Sequence, residues 1–416
     1  MISKKLVRIR SPLVTNSFYL YLSHFADYLF ALFILPFISR TLGAEELGKI
    51  GLAQTFGILM ILFVEFGFSL MATRQIAREK ENQNKINFFV SQIITYKIYL
   101  IPLTLLISTI FILFVPTFYY NPHYIIIISI GAIFQGFAPS WYFQGIEKMR
   151  RIALSKMGFR FFGFIMILLF VRSPSDGWII LLSNSLSSAL ICLYLFQEMT
   201  KRIGRISIVK PSQAIIVFNK SKYSFLITII PVIYQNISMI TLSLFVNPIQ
   251  LGFYYGASRV YRAFNTLYSP ISQAFFPIIS SLDNKNESIL LIRKYLFLTT
   301  IIGLFFFLIN FLFAEQIIKV LLGNEFSGSS NLLRIFSIVL PLTAISNALG
   351  RQWLMVINKD YYYSINQLIS SLIAFIAFIY FIRIYGTASL PISLIFYESS
   401  SIILILVFAL KNKKFI

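Results

Sequence analysis

Long apolar runs, separated by short polar stretches, set the pattern of this chain; Tyr124 to Ala138 and Tyr295 to Phe313 are typical of them. The runs do not alternate between apolar and polar positions, as lipid-facing β-strands must. Many are close to the ~20 residues that cross ~30 Å of hydrocarbon as a helix, and lipid leaves backbone groups no partner outside their own segment. The pattern predicts spans over 16–38, 49–72, 88–114, 123–143, 157–171, 178–196, 223–246, 252–279, 295–313, 331–355, 365–382 and 389–410. The expected fold class is therefore an all-α polytopic membrane protein of about twelve transmembrane helices.

Composition agrees. Charged residues are 12% and hydrophobic residues 57% of the 416, with a mean hydropathy of +0.78, whereas a soluble domain carries about a quarter charged residues. A net charge of +21 raises nucleic acid as a partner. The basic residues, however, sit in short loops between apolar runs, where the positive-inside rule places them, so no nucleic acid is expected. Cys192 alone excludes an intramolecular disulfide or a cysteine metal cluster, and His24 and His123 are too few for a histidine metal site. Asn16 and Ser17 open the first apolar run and no small-residue cleavage site follows it, so it reads as a retained span rather than a signal peptide.

Loop charge orients the bundle. One side carries Lys4, Lys5, Arg8, Arg10, the Arg74–Lys85 group, the Lys148–Arg160 group, the Lys201–Lys222 group and the basic carboxy terminus; the other has only Arg40, Lys49, Arg172, Lys319 and Arg383. Both termini are therefore expected in the cytoplasm. No loop is long enough for a catalytic domain, which argues for a transporter rather than an enzyme. The division expected is an N-terminal six-helix bundle over 1–196, a basic cytoplasmic linker over 197–222 and a C-terminal six-helix bundle over 223–416. Residues 314–330 read as a short interfacial helix and a Gly-Ser turn. An internal repeat supports the halves: Glu46-Leu47-Gly48 with Ala53 opens span two, and Gln250-Leu251-Gly252 with Ala257 opens span eight.

Ionisable side chains inside spans are costly and point to function. Arg259 and Arg262 in span eight are spaced i, i+3 on one helix face. Two such guanidinium groups suit a phosphate-bearing ligand, which Arg can grip bidentately; the alternatives are ion pairs with Asp27, Glu65 or Glu398, or snorkelling. Lys97 in span three suits substrate phosphate or an acidic partner. His24 and Asp27 in span one, Glu65 in span two and Glu398 in span twelve are the candidates for ion or proton coupling; pairing with Lys97 or an arginine, or a buried hydrogen-bonded carboxyl, are the plainer readings. Arg334 and Arg351 lie near span ends, where snorkelling is the default. Prolines 36, 102, 139, 231, 270, 277, 341 and 391 interrupt spans and kink them.

Several strings are specific. They include Asn16-Ser17 and Pro36…Ser39-Arg40…Leu42-Gly43; Glu65-Phe66-Gly67-Phe68-Ser69 leading to Ala72-Thr73-Arg74; and the run Pro139-Ser140-Trp141-Tyr142-Phe143-Gln144-Gly145-Ile146-Glu147-Lys148-Met149. Gly256-Ala257-Ser258-Arg259 with Arg262, then Ser269-Pro270…Gln273-Ala274…Pro277, completes the set. Together they resemble the Wzx-type polysaccharide flippases of the MOP exporter superfamily, closely over about 12–280 and by topology beyond. The resemblance implies two six-helix bundles around a cavity that opens alternately to each side. It also implies a substrate, an oligosaccharide repeat unit on undecaprenyl pyrophosphate moved from the cytoplasmic to the periplasmic leaflet of the inner membrane. Arg259, Arg262 and Lys97 would serve the pyrophosphate, and Gln235, Asn236 and Ser238 in span seven the glycan. No cofactor is implied beyond coupling to a proton or sodium gradient; a polysaccharide polymerase and a chain-length regulator are the protein partners expected. A multidrug extruder of the same superfamily, or a membrane O-antigen polymerase or ligase, are the competing readings. The first would use the acidic residues for cations, and the second would need a long outer loop that is missing from the pattern.

Overall fold

The computed structural model describes the backbone of residues 2–79, 82–267, 271–272, 275, 279, 285–354, 357 and 359–411, and side chains from Phe33 onward except at 70, 219–231, 285–286 and 360. Within the described residues, each expected span falls on a helical stretch. Spans one and two share α1 (Ile2–Glu65), bent at Gly43 (φ 75, ψ 177), a left-handed backbone that favours glycine. Span two breaks at Phe66 (φ 44) and Gly67 (φ 65) and resumes as α2 (Phe68–Arg78). The Asn82 side chain accepts from Lys85 N at 3.1 Å and so caps α3 (Gln83–Phe114). After a single turn, α4 (Pro116–Tyr119), span four is split into α5 (Pro122–Phe137) and α6 (Ser140–Gly145) around Pro139, which has no N–H to continue the ladder. Then follow α7 (Met149–Phe170), α8 (Gly177–Ile203), α9 (Pro211–Leu242) and α10 (Pro248–Thr266). The last stretches are α11 (Lys285–Leu312), α12 (Ala314–Leu321), α13 (Ser329–Asn347) running into a π-helical segment (Ala348–Leu354), α14 (Asp360–Tyr385) and α15 (Ser389–Lys411).

Eight helical stretches among the described residues are long and apolar enough to cross a membrane; one of them, Tyr361–Lys411, holds two expected spans. Side chains such as Phe114 (76% exposed) and Phe297 (70%) face outward, which suits hydrocarbon and not water. The basic 197–222 stretch is more helical than a linker: α8 runs to Ile203 and α9 starts at Pro211, leaving only 204–210 irregular.

The chain divides into two units, one of residues 1–37 and 53–229, the other of 38–52 and 230–416. In the first, α8 is fastened by serines to backbone carbonyls: Ser183 Oγ donates to Gly163 O at 2.7 Å, Ser187 Oγ to Phe159 O at 2.9 Å and Ser185 Oγ to Ile127 O at 2.9 Å. Such approaches need small residues, and a Cβ on Gly131 would lie 2.2 Å from Ser185 Oγ. In the second, the turn between spans one and two is held by Arg40 Nη2 donating to Val320 O at 2.7 Å and Ser39 Oγ donating to Leu321 O at 3.4 Å. The repeated tripeptides meet in this unit. A Cβ on Gly48 would stand 2.1 Å from Pro248 O, and one on Gly252 would stand 1.8 Å from Ala44 O. The two helix openings thus touch backbone to backbone, a contact only glycine permits.

Candidate functional site

On α10, hydrophobic residues face the interior and the two arginines take the remaining stripe. Leu251, Tyr254, Tyr255, Ala257, Ser258, Val260 and Tyr261 are buried, Arg259 is half-buried and Arg262 exposed. Arg259 is oriented by its own helix. Its Nε donates to Tyr255 Oη at 2.9 Å, its Nη2 also donates to that oxygen, and the guanidinium carbon lies 4.9 Å from the Tyr255 ring centroid. A cation over an aromatic face gains about 0.5–2 kcal/mol, depending on desolvation. Tyr255 is itself fixed, because Gly51 leaves room for its ring: a Cβ there would fall 2.4 Å from Tyr255 Cδ2. Arg262 has no hydrogen-bond or ion-pair partner among the described residues. One arginine is thus presented by a tyrosine, and the next is exposed and without a partner among the described residues.

Span seven contributes less order. Gln235 is exposed, while Asn236 Nδ2 donates to Val232 O at 2.7 Å on its own helix. The two are adjacent in sequence and so project about 100° apart around α9.

Glu398 lies deep in the second unit. Its carboxylate accepts from Thr343 Oγ1 at 3.0 Å and from Ser346 Oγ, both on α13. Its partners among the described residues are hydroxyls and not a cation. Around it stands a polar layer: Tyr234 Oη and Ser393 Oγ are 2.7 Å apart, Tyr397 Oη donates to Gln367 Oε1, and Asn366 Nδ2 donates to Ser401 Oγ at 2.8 Å. Asn366 Oδ1 is buried without a donor among the described residues. This layer is rich in acceptors and was not singled out from the sequence. Its signal was there, in Ser and Asn at i, i+3 and i, i+4 spacings within apolar runs, such as Glu398 with Ser401.

Lys97 sits in the first unit, fully buried on α3. Its Nζ donates to Gly136 O and lies 5.8 Å from the Phe68 ring centroid and 6.0 Å from that of Trp141. Glu65 is close enough for its charge to act on the ammonium, and its Oε1 accepts from Ser69 Oγ at 2.5 Å. Lys97 therefore has no open path to a ligand in this conformation. The side chains of His24 and Asp27 lie outside the described residues. Arg334, expected to snorkel, donates through Nη2 to Glu315 Oε1 at 2.8 Å on the amphipathic α12.

Residues 13–283 match the family described as polysaccharide biosynthesis protein. A protein of Escherichia coli (strain K12) described as "Putative O-antigen transporter" is 30% identical over 410 residues, covering 96% of this chain and 97% of its own. The chain belongs to this family. A relative from Shigella dysenteriae under the same description is 26% identical, covering 96% and 99% of the two chains. Among solved structures, the family member shares its fold with the lipid II flippase MurJ in an inward closed conformation (TM-score 0.72, 16% identity, 96% of this chain and 87% of that one). A MATE multidrug transporter of the MOP superfamily in an inward-facing conformation is similar too (TM-score 0.71, 14% identity, 95% and 94%). The family member is thus a multi-pass membrane protein with the fold of MurJ and the MATE transporter, helical along its described spans, and a transporter rather than an enzyme.

Proposed function

We propose that this transporter flips undecaprenyl-pyrophosphate-linked oligosaccharide repeat units from the cytoplasmic to the periplasmic leaflet of the bacterial inner membrane, with both termini cytoplasmic. The observation that carries the reading is the Arg259–Arg262 pair, one guanidinium positioned by Tyr255 and the other free among the described residues. Moving a pyrophosphate and sugar hydroxyls through hydrocarbon costs many kcal/mol unless donors and countercharge accompany them. Two arginines at i, i+3 supply that countercharge, while Gln235 and Asn236 supply amide groups for the glycan. The lipid tail stays in the bilayer, and no covalent chemistry is required.

Glu398 is the group assigned to ion or proton coupling, because a buried carboxyl held by two hydroxyl donors changes its interactions most when it gains a proton or a monovalent cation. Glu65, with Asp27 and His24, is the second candidate. The test is a clean deletion: repeat-unit lipid should accumulate in the inner leaflet and surface polysaccharide should disappear. Unchanged surface glycan refutes the function.

A further inference from the structure

Two spans of the first unit are broken at the same level, and one lysine reaches both breaks. Span two is interrupted at Phe66 and Gly67, span four at Ala138 and Pro139. Above the breaks the helices touch: a Cβ on Gly136 would lie 2.6 Å from Val64 Cγ1 and 3.6 Å from Glu65 N. Below them α2 and α6 touch again. A Cβ on Gly145 would lie 2.8 Å from the Ile76 side chain, and Thr73 Oγ1 is 3.3 Å from Trp141 O and 3.4 Å from Gln144 Oε1.

In an unbroken helix Gly136 O would accept from Ser140 N. Here Ser140 N turns to Ala138 O at 2.9 Å, and Pro139 has nothing to donate, so the carbonyl end of α5 is left open. Lys97 closes it. Its ammonium donates to Gly136 O while facing Phe68, the first residue of α2, and Trp141, the second of α6. The carbonyl end of a helix carries partial negative charge, and aromatic faces add to it, so the site holds a cation without a direct carboxylate bridge among the described residues. A neutral serine or asparagine could have capped the carbonyl at lower desolvation cost. Trp141 Nε1 is buried with no acceptor among the described residues, so the joint is not a fully satisfied static core.

We propose that Lys97 is a positioning residue for transport: its ammonium joins the two breaks into one articulation, so that α2 and α6 move as a single piece during the cycle. The inference rests on the transport reading for its activity arm, but its structural arm does not. The experiment places cysteines at Thr73 and Gln144 in a Cys192→Ala background and bridges them with a short bis-thiosulfonate reagent in native membranes. Cross-linked protein should export glycan at the uncross-linked rate; arrest by the bridge would show that the two segments part company and overturn the proposal.

Lys97→Met should lower the yield of the bridge by about tenfold, the worth of one charge-assisted hydrogen bond, and lower export with it, while Lys97→Arg restores both. Pre-formed bridges should return export to Lys97→Met. If Lys97 instead touched substrate, arginine would rescue and the bridge would not. If it only filled space, Lys97→Met would match the native chain in yield and export. Either result sinks the proposal. Bridge yield is read without any substrate, so a wrong assignment of the cargo leaves that arm intact.

Discussion

Replacing Gly252 by alanine should force apart the openings of spans two and eight. The added methyl would sit 1.8 Å from Ala44 O, whereas an ordinary carbon–oxygen contact is about 3.3 Å. The helices must therefore separate by about 1.5 Å, or a backbone must bend, since the obstructing atom is a carbonyl and not a flexible side chain. Overpacking of this kind costs about 1–3 kcal/mol, which shifts the balance between touching and separated arrangements by about 5–150-fold. Spin labels at Glu45 and Ile249, both exposed beside the contact, read that balance by double electron–electron resonance in a Cys192→Ala background. The short-distance population should fall in Gly252→Ala, and likewise in Gly48→Ala, where the methyl would meet Pro248 O at 2.1 Å. An unchanged distance distribution in both variants would refute the contact as a determinant of conformation.

Other outcomes follow from the same geometry. Glu398→Gln should keep the Thr343 and Ser346 contacts and the fold but lose gradient-dependent transport; undiminished export in the glutamine variant would remove Glu398 from coupling. Glu398→Ala should instead lower thermal stability by about 1–3 kcal/mol through unsatisfied buried hydroxyls, read as an earlier unfolding transition in detergent. Gly163→Ala places a methyl 2.5 Å from Ser187 Oγ; it should destabilise the α7–α8 contact by about 1–3 kcal/mol, and an unaltered melting temperature would contradict the packing account. Tyr255→Phe should leave Arg259 its aromatic face but not its acceptor, raising the substrate concentration needed for half-maximal transport more than it lowers the maximal rate.

How much of this was legible beforehand differs by residue. Hydropathy located the helices because lipid imposes one secondary structure on any apolar run of sufficient length. It could not say that α8 persists to Ile203 or that α9 begins at Pro211, since a helix that leaves the membrane needs no apolar signal. The tripeptides around Gly48 and Gly252 showed as a repeat, but repetition carries no information that the copies press together. Asp27, Glu65 and Glu398 stood out as charges in apolar runs, and a hydrogen-bonded carboxyl was one expected reading of Glu398, but the sequence could not name the hydroxyls. Glu398 took hydroxyls from α13, and Lys97 took a carbonyl freed by Pro139 in the next span. Backbone carbonyls are invisible in a sequence, which is why the lysine read as a ligand group. Tyr255 went unnoticed because an aromatic residue in a span is ordinarily packing.

The central claim is that Arg259 and Arg262 carry the anionic head of a lipid-linked glycan across the membrane. Its most direct measurement follows lipid-linked repeat units in cells whose only copy is Arg259→Ala/Arg262→Ala, scoring the fraction reachable from the periplasmic face. Losing two charge-assisted contacts at about 1.5–3 kcal/mol each lowers flipping by at least about a hundredfold, with the protein present in the membrane at the native level and the lipid retained in the inner leaflet. Native levels of outward-facing lipid in the double variant would contradict the account.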